Sequence, residues 1–172
     1  VYEISKQLVY EGTTSFMASL TVISHEEMIS LLDEYKDVKD PGSHFLGIHS
    51  EGPYLSKDYK AVMDDRFLRN PSIDELNEMM EHSNHIKVMT VACELEGMDA
   101  FIPYASKFIT CMIGHTNSTA QQALHGLKLG SKGFTHLYNA MSQHSHRNPG
   151  CVTAAFLSDA YSELICDGFH VH

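Results

Sequence analysis

Apolar and polar positions alternate between two rhythms along this chain, one of period near 3.6 and one of short apolar runs. Val1, Ile4 and Leu8 recur at helical spacing and stop at Gly12, which predicts a first helix. Ser15 to Val22 is rich in β-formers and predicts a strand. Ser24-His25-Glu26-Glu27 has the pattern of a capping box and opens a helix to about Val38, where Pro41 and Gly42 intervene. Phe45 to Ile48 is the next strand; it runs on to Glu51 and is stopped by Gly52 and Pro53. Residues 54 to 71 read as a long loop, and long loops in compact domains are often functional.

The alternation continues beyond the loop. Ser72-Ile73-Asp74-Glu75 predicts a second capping box and a helix to about Ser83; a strand follows from His85 to Val91. A weaker helical stretch covers about 96 to 106, before a strand from Lys107 to Gly114. Ser118-Thr119-Ala120-Gln121 caps a helix that ends at Gly130, and Gly133 to Leu137 is the next strand. Asn148 to Asp159 reads as a loop with a short helix, and Ser162 to Cys166 as the sixth strand. Six strands alternating with helices predict βαβ units and a parallel sheet. All strand C-terminal ends then fall on one rim, as in a (β/α)8 barrel. A full barrel needs roughly 250 residues. The expectation is therefore a TIM-type α/β barrel present as about six βα units, with residues 1–172 as a partial catalytic barrel domain of a longer protein.

Three of these strands end on side chains that can bind a cation. Gly47-Ile48-His49-Ser50-Glu51-Gly52-Pro53 ends at a carboxylate, and Phe108 to Gly114 ends at His115. Gly133 to Thr135 leads into His136. A carboxylate at the mouth of a buried strand is costly without a cationic partner. One Glu and two His at strand ends suit a catalytic divalent metal with a position left open for water. The donor set suits Zn, Fe, Co or Mn, and the lack of Cys in it disfavours a closed structural zinc site. The plain alternatives are a salt-bridged carboxylate for Glu51 and cap or loop histidines for the other two. His49 shares the strand parity of Glu51, so it points into the barrel or packs in the core.

Charge and composition narrow the partners. The chain has 172 residues and a formal net charge of -10, which argues against nucleic-acid binding. No apolar run approaches the roughly 18–20 residues of a membrane span, and the first residues are no signal peptide. Cys93, Cys111, Cys151 and Cys166 lack finger or redox spacing and predict buried, reduced thiols in a cytoplasmic protein. Lys57 and Lys60 are expected to be solvated, and His144 and His146 to be structural or exposed.

Four motifs together carry a resemblance. Gly-Ile-His-Ser-Glu-Gly-Pro-Tyr (47–54), Gly-His-Thr-Asn-Ser-Thr (114–119), Thr-His-Leu-Tyr-Asn-Ala-Met (135–141) and Asp-Gly-Phe-His-Val (167–171) resemble the N-acetylglucosamine-6-phosphate deacetylases of the amidohydrolase superfamily. The resemblance implies a distorted TIM barrel, a divalent metal, and hydrolysis of the N-acetyl group of a sugar phosphate. Glu51, His115 and His136 match the metal ligands. Asn139 and Ala140 match a stretch that contacts substrate, and His170 a substrate-binding histidine. Arg147 matches an arginine that reaches the phosphate of the neighbouring subunit's substrate, which implies a homodimer. The plain readings are a turn cap for Asn139, a packing residue for His170 and a surface arginine for Arg147.

The chain also departs from that family. Where the family carries a carbonyl-polarising His in Lys-Gly-Ala-His, this chain has Lys60-Ala61-Val62-Met63, and Met cannot donate that hydrogen bond. The family's catalytic Asp matches no residue here and is expected on a strand beyond His172. Its N-terminal His-x-His strand and small β domain are likewise unmatched. Without the Asp to move protons, the 172 residues alone are expected to bind metal and to hydrolyse very slowly. Two alternatives remain open: another amidohydrolase (an N-acetylgalactosamine-6-phosphate deacetylase or a deaminase), and a catalytically incomplete metal-binding piece.

Overall fold

The computed structural model describes all 172 residues. Helix α1 (Tyr2–Tyr10) precedes strand β1 (Ser15–Leu20). Helix α2 (His25–Glu34) leads to β2 (His44–Glu51), and α3 (Ile73–His82) to β3 (Ile86–Val91). Helix α4 (Met98–Ala105) leads to β4 (Thr110–Ile113), and α5 (Ala120–Leu129) to β5 (Gly133–Phe134). Last come α6 (Cys151–Phe156) and β6 (Tyr161–Ser162). All pairings are parallel and the strands lie in sequence order, β1-β2-β3-β4-β5-β6. A doubly wound sheet reverses its order at a switch point. This one never does, so it is wound as a barrel is.

The sheet curls strongly. From β2 to β5 is three strand steps, about 14 Å along a flat sheet. Yet Glu51, at the end of β2, lies 2.8 Å from His136, two residues past β5. Only a sheet bent around its own inner face brings those side chains together, and the result is a curled partial barrel of six units. No helix is long and apolar enough to cross a membrane.

Helices α2 to α6 pack in order against one another and the outer face of the sheet. The core lies between these layers. It joins Leu32, Leu76, Met79, Phe101 and Ile102 of the helices to Ile48, Ile86, Met89, Val91, Ile113 and Phe134 of the strands. Helix α5 approaches so closely that a Cβ on Gly126 would stand 2.9 Å from the Cβ of Cys93.

Ser24 and Glu27 form the reciprocal capping box that the sequence predicts. Ser72 accepts from the Glu75 amide at 3.2 Å, but the Glu75 carboxylate does not return the bond. It accepts from Arg69 Nε at 2.9 Å and from the Tyr54 hydroxyl at 2.9 Å instead. Helix α5 is capped one residue later than expected, by Thr119 with Gln122. The sixth strand is shorter and earlier than Ser162 to Cys166, and Cys166 is exposed rather than buried. The apolar run there has no further strand beside it to bury it. The other three cysteines are buried and unpaired.

The stretch 54 to 71 holds a 3-10 turn at Lys57–Tyr59 and is well packed. Leu55, Met63 and Leu68 join Val22 in a second buried cluster. Tyr54 is fully buried, and its ring meets Phe101 edge-on at 5.0 Å. Burial and the Glu75 carboxylate push its phenol far above the ordinary range.

Leu76 is fully buried in the main core, so Leu76→Ala should destabilise the fold by about 2–5 kcal/mol. Val62→Ala, at a position 95% exposed, should change stability by less than about 0.5 kcal/mol. Urea unfolding of the two variants measures the contrast.

Candidate metal centre

Strand ends position three atoms that could hold a metal ion. Glu51 is the last residue of β2. His115 follows β4 after Gly114, and His136 follows β5 after Thr135. Both histidines have left-handed backbones, φ 45° for His115 and 35° for His136. Tyr138 and Ala140 share that region, at φ 80° and 46°. Such conformations are uncommon outside glycine, and four of them at one rim show a backbone bent to aim side chains inward.

These three atoms nearly touch. Glu51 Oε1 lies 3.0 Å from His115 Nε2 and 2.8 Å from His136 Nε2. The two Nε2 atoms are 3.2 Å apart, and the rings meet edge-on. Bonds of about 2.0–2.1 Å to one tetrahedral ion would set such atoms about 3.3 Å apart. The side chains are mostly hidden from water, His115 at 4% exposure, His136 at 15% and Glu51 at 23%.

The proton inventory is decisive. His115 Nδ1 stands 2.8 Å from the Tyr59 carbonyl, which can only accept. Nδ1 must therefore carry a proton; without a second proton on the ring, Nε2 presents a lone pair to the Glu51 carboxylate, and with one it donates a hydrogen bond there. Three lone-pair atoms converge, and they repel unless a proton or a cation sits among them. A carbonyl behind a ligating histidine is also the usual way to fix its tautomer. The donor set thus fits a divalent ion. His136 Nδ1 finds no hydrogen-bond partner within the chain.

In the protein alone, protons on the ring nitrogens supply that balance. Hydrogen bonds from His115 and then His136 hold the Glu51 carboxyl well below the ordinary carboxylate range, against the opposing effect of burial. Burial disfavours a charged His136, but the hydrogen bond and charge of Glu51 outweigh it and raise that ring's pKa. His49, beside them, is pushed down by desolvation.

The other residues singled out by sequence fall in three places. His49 lines the same cavity as Glu51 and His136, a space of about 310 Å³ inside the curl. Asn139 caps the turn after β5, donating to the His136 and Leu137 carbonyls at 3.3 Å each. The Ala140 carbonyl accepts from Thr116, tying that turn to the loop after β4. Arg147 is exposed, forms no ion pair, and lines a separate cavity of about 620 Å³ without an acidic wall. His170 lies on an exposed turn beyond β6, bonded to Asp167 at 2.7 Å and not drawn into the cluster. Lys57 is exposed, Lys60 pairs with Asp65 at 3.7 Å, and His144 and His146 are exposed. Met63 is buried, with its sulfur accepting from the Thr21 hydroxyl at 2.9 Å.

Two features escaped sequence reading. The Tyr59 carbonyl is a backbone atom, so no side-chain motif announces it. Thr90 on β3, in a strand without a ligand, gave no signal except burial of a hydroxyl.

A sequentially wound parallel sheet with its polar cluster on the C-terminal rim defines a (β/α)-barrel scaffold. No protein-family profile matches the chain. It is 32% identical over 98% of its length to N-acetylglucosamine-6-phosphate deacetylase of Bacillus subtilis, of which it covers 45%. Over 77% of its length it is 36% identical to N-acetylgalactosamine-6-phosphate deacetylase of Escherichia coli O157:H7, of which it covers 36%. The crystal structure of N-acetylglucosamine-6-phosphate deacetylase from Thermotoga maritima superposes with a TM-score of 0.89 at 33% identity, covering 98% of this chain and 46% of that one. The chain is a homologue of the N-acetylglucosamine-6-phosphate deacetylases and spans a little under half their length.

Gly114 leaves no room beside the cluster: a Cβ there would stand 2.8 Å from Thr90 Cγ2 and 3.0 Å from Thr135 Cβ. Gly114→Ala should cost about 1–3 kcal/mol by overpacking, read as a fall in thermal midpoint.

Proposed function

We propose that this chain forms the metal-holding part of an amidohydrolase that removes the acetyl group from N-acetylglucosamine 6-phosphate, in amino-sugar breakdown. The observation that carries this reading is the convergence of Glu51 Oε1, His115 Nε2 and His136 Nε2 with the His115 tautomer fixed by the Tyr59 carbonyl. Glu51, His115 and His136 hold the ion in this reading, as Zn, Fe, Co or Mn. When bound, such an ion supplies Lewis acidity, acidifying water and polarising an amide carbonyl.

The remaining roles are carried over from the resemblance. The stretch over the rim is tied to the site by the Ser56 amide on the His115 carbonyl, which limits water at the cluster. In this reading Asn139 and Ala140 contact substrate from the turn after His136, and His170, which lies apart from the cluster in this structure, would reach it from beyond β6. Arg147 offers a free guanidinium, and planar bidentate bonding suits a phosphate. Its cavity shares no lining residue with that of Glu51. That separation supports service to a neighbouring subunit's substrate, hence a homodimer. With Met63 buried, another group orients the substrate carbonyl. Four unpaired cysteines suit a reducing compartment, the cytoplasm.

The 36% identity to a galactosamine-type deacetylase favours N-acetylgalactosamine 6-phosphate as a second substrate reading. Acetate release from the two epimers, measured on a form of the protein that supplies the family's catalytic Asp, separates them: faster turnover of the gluco sugar is expected, and a preference for the galacto sugar would reverse the assignment. Calorimetric titration with Zn²⁺ should give one tight site with proton release, because ligation displaces protons from the imidazoles. Glu51→Gln should weaken binding by roughly 100-fold or more, about 2.7 kcal/mol. Removal of the metal from that Asp-bearing form by a chelator should abolish acetate release, and added Zn²⁺ should restore it.

A further inference from the structure

We propose that Thr90 is a positioning residue for the metal centre, acting through a hydrogen-bonded chain that runs His49–Thr90–Thr135 beneath the three ligands. The proposal rests on the metal reading above. Strand β3 carries no ligand, yet it lies between the strand that ends in Glu51 and the strand that leads to His115. Thr90 is fully buried and Thr135 is 4% exposed. Thr90 Oγ1 lies 2.7 Å from His49 Nε2 and 2.7 Å from Thr135 Oγ1. Each hydroxyl thereby satisfies the other, and His49 satisfies the chain's end.

Every ligand is reached through its immediate neighbourhood. His49 is two residues before Glu51 on the same face of β2. Glu51 itself stands opposite Thr90 in the β2–β3 register. Thr135 directly precedes His136, whose backbone is already left-handed. Gly114 directly precedes His115, and the Thr90 methyl group sits 2.8 Å from where a Cβ of that glycine would be. One side chain therefore bears on all three ligand-bearing segments. Valine would fill the same volume on a strand whose neighbours are Met89 and Val91, so packing alone does not call for a hydroxyl. Burying a hydroxyl is costly without partners, and these partners are the segments that must hold still.

The test is titration of the metal-free protein with Co²⁺, following the visible absorption that reports coordination geometry. Thr90→Val should lower Co²⁺ affinity by roughly 10–100-fold, the usual effect of an outer partner, and shift the visible spectrum. The far-ultraviolet circular dichroism of the metal-free form should stay that of the wild type. Thr90→Ser keeps the hydroxyl and should restore both affinity and spectrum. If Thr90→Val does not fold, Thr135→Val is read in the same way. Wild-type affinity and spectrum in the Val variant would overturn the positioning role, as would a Ser variant as impaired as Val. A wild-type protein that takes up no Co²⁺ would overturn the metal reading and this inference with it, a result readily told apart from the other two.

Discussion

The contact of one carboxylate oxygen with two imidazole nitrogens governs this structure. Glu51 comes from the second strand and His136 from beyond the fifth, 85 residues later. Oxygen and nitrogen lone pairs gathered within about 3 Å repel one another in a poorly hydrated place. That arrangement persists only because the sheet is curled and because something cationic balances it. In the protein alone the balance is protonic, and the depressed Glu51 and raised His136 are its two faces. The same atoms without those protons are a ligand set.

Curl and winding order make the contact possible. Strands in strict sequence order place every C-terminal end on one rim, with the helices outside. The inner face is then free for polar groups such as His49, Thr90 and Thr135, while the outer face carries the apolar core. The left-handed turns at His115, His136, Tyr138 and Ala140 do the fine aiming. Strain of this kind costs of order 1–3 kcal/mol per residue and is kept where geometry matters more than stability.

The architecture was legible because apolar runs and capping residues recur with regular punctuation, and five of the six strands lie where the pattern puts them. The sixth was misjudged because the run from Ser162 to Cys166 looks like a buried strand, and burial depends on neighbours that a pattern does not contain. The Glu75 carboxylate also departed from its expected role. A capping box and an ion pair with Arg69 compete for one side chain, and the charged, partly buried partner won. The cluster of Glu51, His115 and His136 was readable because each stands at a strand end, where such a residue is rarely tolerated. Tyr59 was not, since a carbonyl has no side-chain signature, and the inward turn of Met63 depends on a loop packing that spacing alone does not encode.

The strands differ greatly in length, eight residues in β2 but two in β5. Backbone pairing is therefore dense around Glu51 and sparse beside His136. Local opening should begin at the sparse end, and amide exchange would be fastest there. An ion at the rim would act as a rivet between a firm half and a loose one. Its escape would then be timed by the fraying of a two-residue strand, not by the strength of its best-held ligand.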